Sequence, residues 1–210
     1  MFTQKSPLSG DAVEGYFCAM TGIEAPRSDV RGPAVWPLSV KAYHALGEMG
    51  LIPEKTELLY GFVYHKMPKS PFHAYLVRVL LKLLQAAVPE GFVVSAEQPI
   101  TCAISEPEPD LSVVRGEIAD FRHGHPRTAE MVIEVCVTSH EYDRSKLRAY
   151  ASAGVKECWL VLGPEKQIEV HRRPQGEQFA EHAVHGPGGS LTSAAVPGFN
   201  VELDSLFPMG

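Results

Sequence analysis

Two acidic residues stand among apolar neighbours that would ordinarily exclude a charge. Glu134 is the only charged residue in the segment Met131–Val137, and Asp110 opens a short segment that continues with Val113 and Val114. A carboxylate inside a buried strand costs free energy unless a partner compensates it. Glu134 is therefore a candidate functional residue, and the alternative is a structural ion pair with an arginine or lysine across the sheet.

Lys146 follows Glu134 in the sequence, in the predicted next helix, and could contact it if that helix packs back against the strand. Asp143 is typical of a helix N-cap, which would put Lys146 in the first turn of the helix. The helix dipole disfavours a cation in the first turn, so the position indicates another role, such as contact with Glu134. The alternative is an exposed lysine that pairs with Asp143 at i, i+3 spacing.

The elements that must position these residues are visible in the apolar periodicity. A long amphipathic helix is predicted to begin at Pro71 and to end before Pro89. Buried strands are predicted over 131–138 and 157–162, and a helix over 144–153 connects them. This order predicts a mixed α/β (α+β) domain with a central sheet over residues 37–210. Residues 1–36, rich in Gly, Pro and Ser, are interpreted as an N-terminal arm.

Composition limits the classes of protein that the chain can represent. The formal net charge is −6 over 210 residues, which argues against a protein that coats duplex DNA but not against an enzyme with a local basic patch. No apolar run approaches the roughly 20 residues that span a bilayer, so no membrane association is expected. The N-terminus lacks the pattern of a secretory signal, and a cytoplasmic location is expected.

The remaining cysteines and histidines are weaker candidates. No CxxC pair is present among the four cysteines, which are expected to be free thiols. Cys136 could serve a cysteine hydrolase, but no histidine lies near it in the sequence. His123 and His125 form an HxH pair in a polar segment, which favours a solvated loop over a metal site. The histidines of the C-terminal strands are predicted to face solvent: His171, His182 and His185.

Several of these segments, taken in order, resemble the Uma-two family of restriction endonucleases, within the PD-(D/E)xK nuclease superfamily. The resemblance covers about residues 38 to 207, and its specific part runs from Asp110 to Trp159. The matching segments are Glu57-Leu-Leu-Tyr-Gly, His73 at a helix start, Pro109-Asp110, Ile133-Glu134-Val135, Tyr142-Asp143, Lys146, Tyr150 and Gly154.

The resemblance implies a restriction-endonuclease-like fold, in which helices flank a central mixed β-sheet. It implies that Asp110, Glu134 and the backbone carbonyl of Val135 bind Mg²⁺ or Mn²⁺. The superfamily lysine, two positions after the strand acid, would fall at Cys136, which is a departure from the pattern. Lys146 occupies the helix position to which this family moves that lysine, and a flexible stem allows an ammonium to reach one point from two backbone sites.

Three further residues enter the implied site in supporting roles: Glu57, His73 and Gln98. The function so implied is a Mg²⁺-dependent endonuclease that hydrolyses phosphodiester bonds of DNA, with a homodimer expected because cleavage of both strands often needs two sites. The alternative is a catalytically inactive nuclease-fold protein that acts as a binding or assembly module. The acidic net charge and the missing lysine at Cys136 favour that alternative, whereas the joint presence of Asp110, Glu134 and Lys146 favours the nuclease.

Overall fold

The computed structural model describes residues 36–138 and 140–207, so the predicted arm lies outside the described residues except for Trp36. The elements are α1 (Val40–Glu48), β1 (Thr56–Leu59), β2 (Phe62–His65), α2 (Pro71–Ala87), β3 (Phe92–Ala96), β4 (Leu111–Arg115), a 3₁₀ turn (Ile118–Phe121), β5 (Met131–Cys136), α3 (His140–Ser152), β6 (Glu157–Leu162), β7 (Gln167–Gln175), β8 (Gln178–His185), β9 (Ser190–Thr192), β10 (Asn200–Glu202) and α4 (Leu203–Leu206). Within the described part, none of the helices has the length and apolar character needed to cross a membrane.

A six-stranded mixed sheet forms the centre of the fold, with strand order β3-β4-β5-β6-β7-β8. Strands β5 and β6 are parallel, and every other neighbouring pair in this sheet is antiparallel. A parallel pair needs a crossover connection, and α3 supplies it. The predicted strand–helix–strand unit is confirmed in kind, and the hairpin β1–β2 and the pair β9–β10 form two small separate sheets.

The alternation of side chains along β5 divides the core into two layers. Ile133 and Val135 pack in the cluster that contains the buried positions of α2. Val132 and Cys136 pack in the cluster that contains the buried residues of α3. Because side chains alternate along a strand, Glu134 points towards the α3 layer, between two apolar residues of the same strand.

Local sequence signals explain where the long helix begins and ends. The Ser70 hydroxyl accepts a hydrogen bond from the backbone N–H of His73 at 3.1 Å, and Pro71 occupies the first turn, where a missing N–H costs nothing. Pro89 follows the C-cap Val88 directly. The predicted helix over this segment is confirmed, and its N-terminus places His73 beside the strands that carry the acids.

Two elements differ from the sequence prediction: one helix begins earlier, and one predicted strand is not formed. Helix α3 begins at His140, so Asp143 lies inside the first turn rather than at the N-cap position. Residues 100–104, predicted as a strand, lie outside the sheets. In the first case the helix starts one turn earlier because tertiary packing, and not the capping signal alone, decides where a helix begins.

Candidate functional site

Asp110 and Glu134 meet because of the register between β4 and β5. Leu111 pairs with Ile133 in this antiparallel pair, so the residue before Leu111 and the residue after Ile133 lie at the same end of the ladder. The backbone N–H of Val135 donates a hydrogen bond to Asp110 Oδ2 at 2.8 Å. Both acids are almost completely buried. The two carboxylates that the sequence singled out therefore sit on adjacent strands at one site.

The Glu134 carboxylate is held by two residues of helix α3. The Tyr150 hydroxyl donates a hydrogen bond to Glu134 Oε1 at 2.6 Å, and the Lys146 ammonium lies 3.4 Å from the same oxygen. The partner is thus in the crossover helix, and not across the sheet. Tyr150 is fully buried, as predicted for a core residue, but its hydroxyl also fixes the acid in place.

Lys146 stands at the centre of three carboxylates. Its Nζ lies 3.1 Å from Glu57 Oε1, 3.4 Å from Glu134 Oε1 and 3.9 Å from Asp143 Oδ1. The Asp143 contact is the i, i+3 pair that the sequence offered as the alternative, but the Lys146 side chain is only 5% exposed, and not solvated as that alternative expects. Lys146 is therefore a buried hub that joins α3 to β5 and to the hairpin β1–β2.

Glu57 reaches this hub from the hairpin and is itself anchored at both oxygens. Tyr142 donates its hydroxyl to Glu57 Oε1 at 2.8 Å, and the backbone N–H of Glu108 donates to Oε2 at 3.0 Å. A buried carboxylate needs such donors to compensate the lost water. Glu57 thereby links the segment before Asp110 to helix α3.

The charges of this cluster are not balanced within it. Burial raises the pKa of Glu134 to about 8, and Asp110, Asp143 and Glu57 add to the rise, although Lys146 acts in the opposite direction. Burial alone would lower the pKa of Lys146, but the surrounding carboxylates outweigh it and hold this pKa well above its ordinary value. The cluster therefore contains a permanent ammonium and an excess of acids over cations.

Asp110 has a different environment, with hydrogen-bond donors from the segment before α2 and from the first turn of α2. Lys69 Nζ lies 2.7 Å from Oδ1, and His73 Nε2 donates to Oδ2 at 3.0 Å. Burial opposes ionisation, but these contacts outweigh it and lower the pKa of Asp110 to about 2. Lys69 also contacts Glu97 Oε1 at 2.8 Å. Within the described part of the chain, the buried Nδ1 of His73 has no hydrogen-bond partner.

A cavity of about 340 Å³ opens between these side chains. Five carboxylates but only three lysines line it, so its walls carry surplus negative charge. Oxygen-rich, negatively charged walls suit a hard divalent cation. The lining residues with charged or polar side chains are Glu57, Lys66, Lys69, Ser70, His73, Glu108, Asp110, Glu134, Thr138, Tyr142, Asp143 and Lys146.

The structure brings together most of the residues that the sequence indicated. Asp110, Glu134, Val135 and Lys146 line the cavity, as do the supporting residues Glu57 and His73. The one exception is Gln98, whose exposed side chain lies outside the lining and donates to the Ala96 carbonyl at 3.5 Å. The residue before it, Glu97, donates its backbone N–H to the Asp110 carbonyl at 3.2 Å, but the side chain of Gln98 itself is exposed to solvent.

Lys69 and Tyr142 are residues of the site that sequence reasoning missed. A signal for Lys69 was present, because a lysine directly before a helix N-cap is electrostatically unfavourable, as it is for Lys146. Tyr142 gave no signal beyond its place in the resembling segment, since a tyrosine in a helix is most simply a packing residue.

The other candidate residues do not line the cavity. His123 and His125 are exposed, as predicted for a solvated loop. Cys136 is buried, and burial among acids raises the pKa of its thiol, which is the wrong direction for a nucleophile. The prediction that His171 faces solvent is wrong: its side chain is only 13% exposed, because its ring stacks on His182 and lies against Phe179.

Similarity to known proteins extends over most of the chain. A family model described as "Uma2: Putative restriction endonuclease" matches residues 43–204, and no curated protein matches. Among solved structures, a putative nuclease belonging to DUF820 from Anabaena variabilis superposes with a TM-score of 0.65 at 20% identity, over 77% of this chain and 96% of that chain. This likeness establishes the restriction-endonuclease-like fold. Because the family match spans well over half of the sequence, the chain belongs to the Uma2 family of putative restriction endonucleases.

Proposed function

We propose that this protein is a metal-dependent endonuclease that hydrolyses phosphodiester bonds of DNA, with Mg²⁺ or Mn²⁺ as its cofactor. The observation that supports it best is the convergence of Asp110 and Glu134, from adjacent strands, on one cavity that also holds Lys146. A purely structural acid pair would have no reason to line an opening. The match to a family of putative restriction endonucleases supports phosphodiester hydrolysis as the reaction at this cavity.

The donor set at this cavity fits a hard divalent cation. Asp110, Glu134 and the Val135 carbonyl would hold it, since all three residues line the cavity and offer oxygen atoms. Burial, together with Asp110, Asp143 and Glu57, raises the pKa of Glu134 to about 8, and a bound cation would favour its ionised form. When bound, such an ion stabilises the charge that develops on phosphoryl oxygens and activates a water molecule.

Lys146 is assigned an electrostatic and positioning role. Its pKa lies well above the ordinary value, so it keeps its proton at neutral pH and does not act as a general base. Its contacts with Glu57 and Glu134, at 3.1 and 3.4 Å, hold both carboxylates in one orientation. This role needs no lysine at position 136, where Cys136 departs from the superfamily pattern.

Two lysines near the mouth of the cavity are suited to the phosphate backbone. Lys66 contacts Glu108, and Lys69 contacts Asp110, with side-chain exposures of 22% and 31%. Both ammonium groups can therefore be reached from solvent, in contrast to Lys146. Local cations of this kind answer the objection that the chain as a whole carries a net charge of −6.

A second candidate function is a nuclease-fold module that binds or assembles without cleavage. The observation that favours it is that Asp110 already has Lys69 and His73 as partners, at 2.7 and 3.0 Å. In this second function, the ammonium of Lys69 would permanently occupy the position of a metal ion beside Asp110. The two functions predict different results when divalent ions are added to the protein and DNA: the nuclease cleaves the DNA, and the binding module does not.

The deciding experiment is cleavage of supercoiled plasmid DNA by the purified chain, with MgCl₂, with MnCl₂ or with EDTA. We expect nicked and linear products with either metal and none with EDTA. Asp110→Asn and Glu134→Gln should abolish cleavage, and Glu90→Gln, at an exposed acid beyond the C-terminal end of α2, should leave it unchanged.

No cleavage under any condition, by a protein that binds the plasmid and is folded by circular dichroism, would favour the binding module. Cleavage that survives both site substitutions would overturn the proposed site. The homodimer and the cytoplasmic location stay predictions, and analytical ultracentrifugation of the same preparation tests the former.

A further inference from the structure

A second cluster of metal-ligating side chains lies on strands β7 and β8, apart from the cavity. Glu169, His171 and His182 each offer one ligand atom, and the three atoms lie within 4.8 Å of one another. Among residues 36–138 and 140–207 this is the only such trio of His, Cys, Asp or Glu side chains. None of the three lines the cavity of the proposed nuclease site.

The sheet register fixes this cluster rigidly. Glu169 and His171 are two residues apart on β7 and so share one face of the sheet. His182 is the direct cross-strand partner of His171. The two imidazole rings stack, with centroids 4.5 Å apart and planes inclined by 20°. Ligands borne by paired strands keep their spacing without help from loops.

Two further observations point to a missing partner at this cluster. The Nε2 atom of His171 is buried and, among the described residues, has no hydrogen-bond partner, with Glu169 Oε2 at 3.6 Å. A buried ring nitrogen ordinarily finds a partner. His182 is exposed, so the cluster is open to solvent on one side and an ion can enter.

The carboxylate of Glu169 is oriented by a residue of α3. Arg144 donates from Nη2 to Oε1 at 2.6 Å and from Nε to Oε2 at 3.3 Å. Oε1 takes the closer contact, and Oε2, which accepts the longer one, lies 3.6 Å from His171 Nε2. Outer partners that hold ligating side chains in place are common around metal sites. The guanidinium also repels a cation, so binding here is expected to be weaker than in a site without it.

We infer that Glu169, His171 and His182 form a binding site for a borderline transition-metal ion, with Zn²⁺ as the representative ion. Two imidazoles and one carboxylate suit such an ion, whereas the all-oxygen set at Asp110 and Glu134 suits Mg²⁺. Three protein ligands leave at least one coordination position for water or another ligand. The ion would join β8, the edge strand of the sheet, to β7.

The test is titration of ZnCl₂ into the metal-free full chain, purified without a polyhistidine tag and followed by isothermal calorimetry. We expect one Zn²⁺ per chain. His171→Gln and His182→Gln should each weaken binding by more than the roughly tenfold to hundredfold that is typical when an outer partner of a ligand is lost. His185→Gln is the matched control, because His185 lies on β8 but on the face opposite to His182. This variant should bind Zn²⁺ with the affinity of the wild type.

A spectroscopic measurement separates this site from the proposed nuclease site and from the cysteines. Co²⁺ should give visible absorption bands that Asp110→Asn retains and His182→Gln loses. Equal Zn²⁺ affinity in all histidine variants, or thiolate-to-metal bands in the near ultraviolet, would overturn the inference. Because His182 is exposed, its variant should fold as the wild type does, and circular dichroism verifies this.

Discussion

The ammonium of Lys146 lies 3.4 Å from the carboxylate of Glu134, which joins the crossover helix α3 to the strand β5 that precedes it. The contact is local in topology, since the strand leads through a short connection into the helix. It places a permanent positive charge beside an acid whose pKa is raised. Removal of the ammonium should therefore leave the buried Glu134 carboxylate without its nearest cation.

Lys146→Met should destabilise the protein by about 3–5 kcal/mol in free energy of unfolding, because it leaves buried carboxylates without their cation. Urea denaturation at pH 7 in EDTA measures the change. Lys82→Met is the matched control, since it replaces an exposed helix lysine and should alter stability by less than about 0.5 kcal/mol. Similar stabilities for the two variants would show that Lys146 is not the hub described above.

Tyr150→Phe should weaken both stability and activity while it preserves the shape of the core. The lost hydroxyl leaves Glu134 Oε1 without its 2.6 Å donor, at a cost of about 1–3 kcal/mol. We expect plasmid cleavage to fall by about tenfold or more, as for other residues that orient a ligand. Tyr75→Phe, at a half-exposed helix position, should change neither quantity. Full activity in Tyr150→Phe would exclude the orienting role.

Asp110 should contribute to stability above its ordinary pKa of 3.8 and lose that contribution as the pH falls towards 2. The folded protein keeps this carboxyl ionised where the unfolded chain takes up a proton, so stability declines on acidification. A shift of this size corresponds to about 2 kcal/mol. Urea unfolding of wild type and Asp110→Asn in EDTA should therefore give a stability difference that narrows between about pH 4 and pH 2. A difference independent of pH would contradict the lowered pKa.

Mg²⁺ and Mn²⁺ should raise the melting temperature of the wild type, because a ligand that binds only the folded state stabilises it. At a concentration of about 100 times Kd, the gain of about 2.7 kcal/mol corresponds to a rise of several degrees for a domain of this size. Differential scanning fluorimetry measures it. Asp110→Asn and Glu134→Gln should abolish the rise, and His182→Gln should keep it. An equal rise in all variants would indicate nonspecific ion binding.

The local elements could be predicted because their signals are local. The spacing of apolar residues and the Ser70-Pro71 start identify α2, and the apolar segments around Glu134 and Trp159 identify β5 and β6. The start of α3 was misplaced because Asp143 resembles an N-cap but is buried in the first turn. A capping preference of about 1 kcal/mol is easily outweighed by packing.

By itself, the sequence determined which side chains of the candidate site are unusual: an acid in an apolar strand, a second acid at a strand start, and a lysine where the helix dipole opposes it. Such anomalies are visible because each violates a local preference. Only the tertiary structure decided which residues meet them. Lys69 meets Asp110 from the segment before α2, Glu57 meets Lys146 from β1, and Tyr150 meets Glu134 from α3. Glu169, His171 and His182 assemble through strand pairing. Those contacts depend on sheet register and helix packing, which link residues far apart in the chain and leave no periodic trace in it.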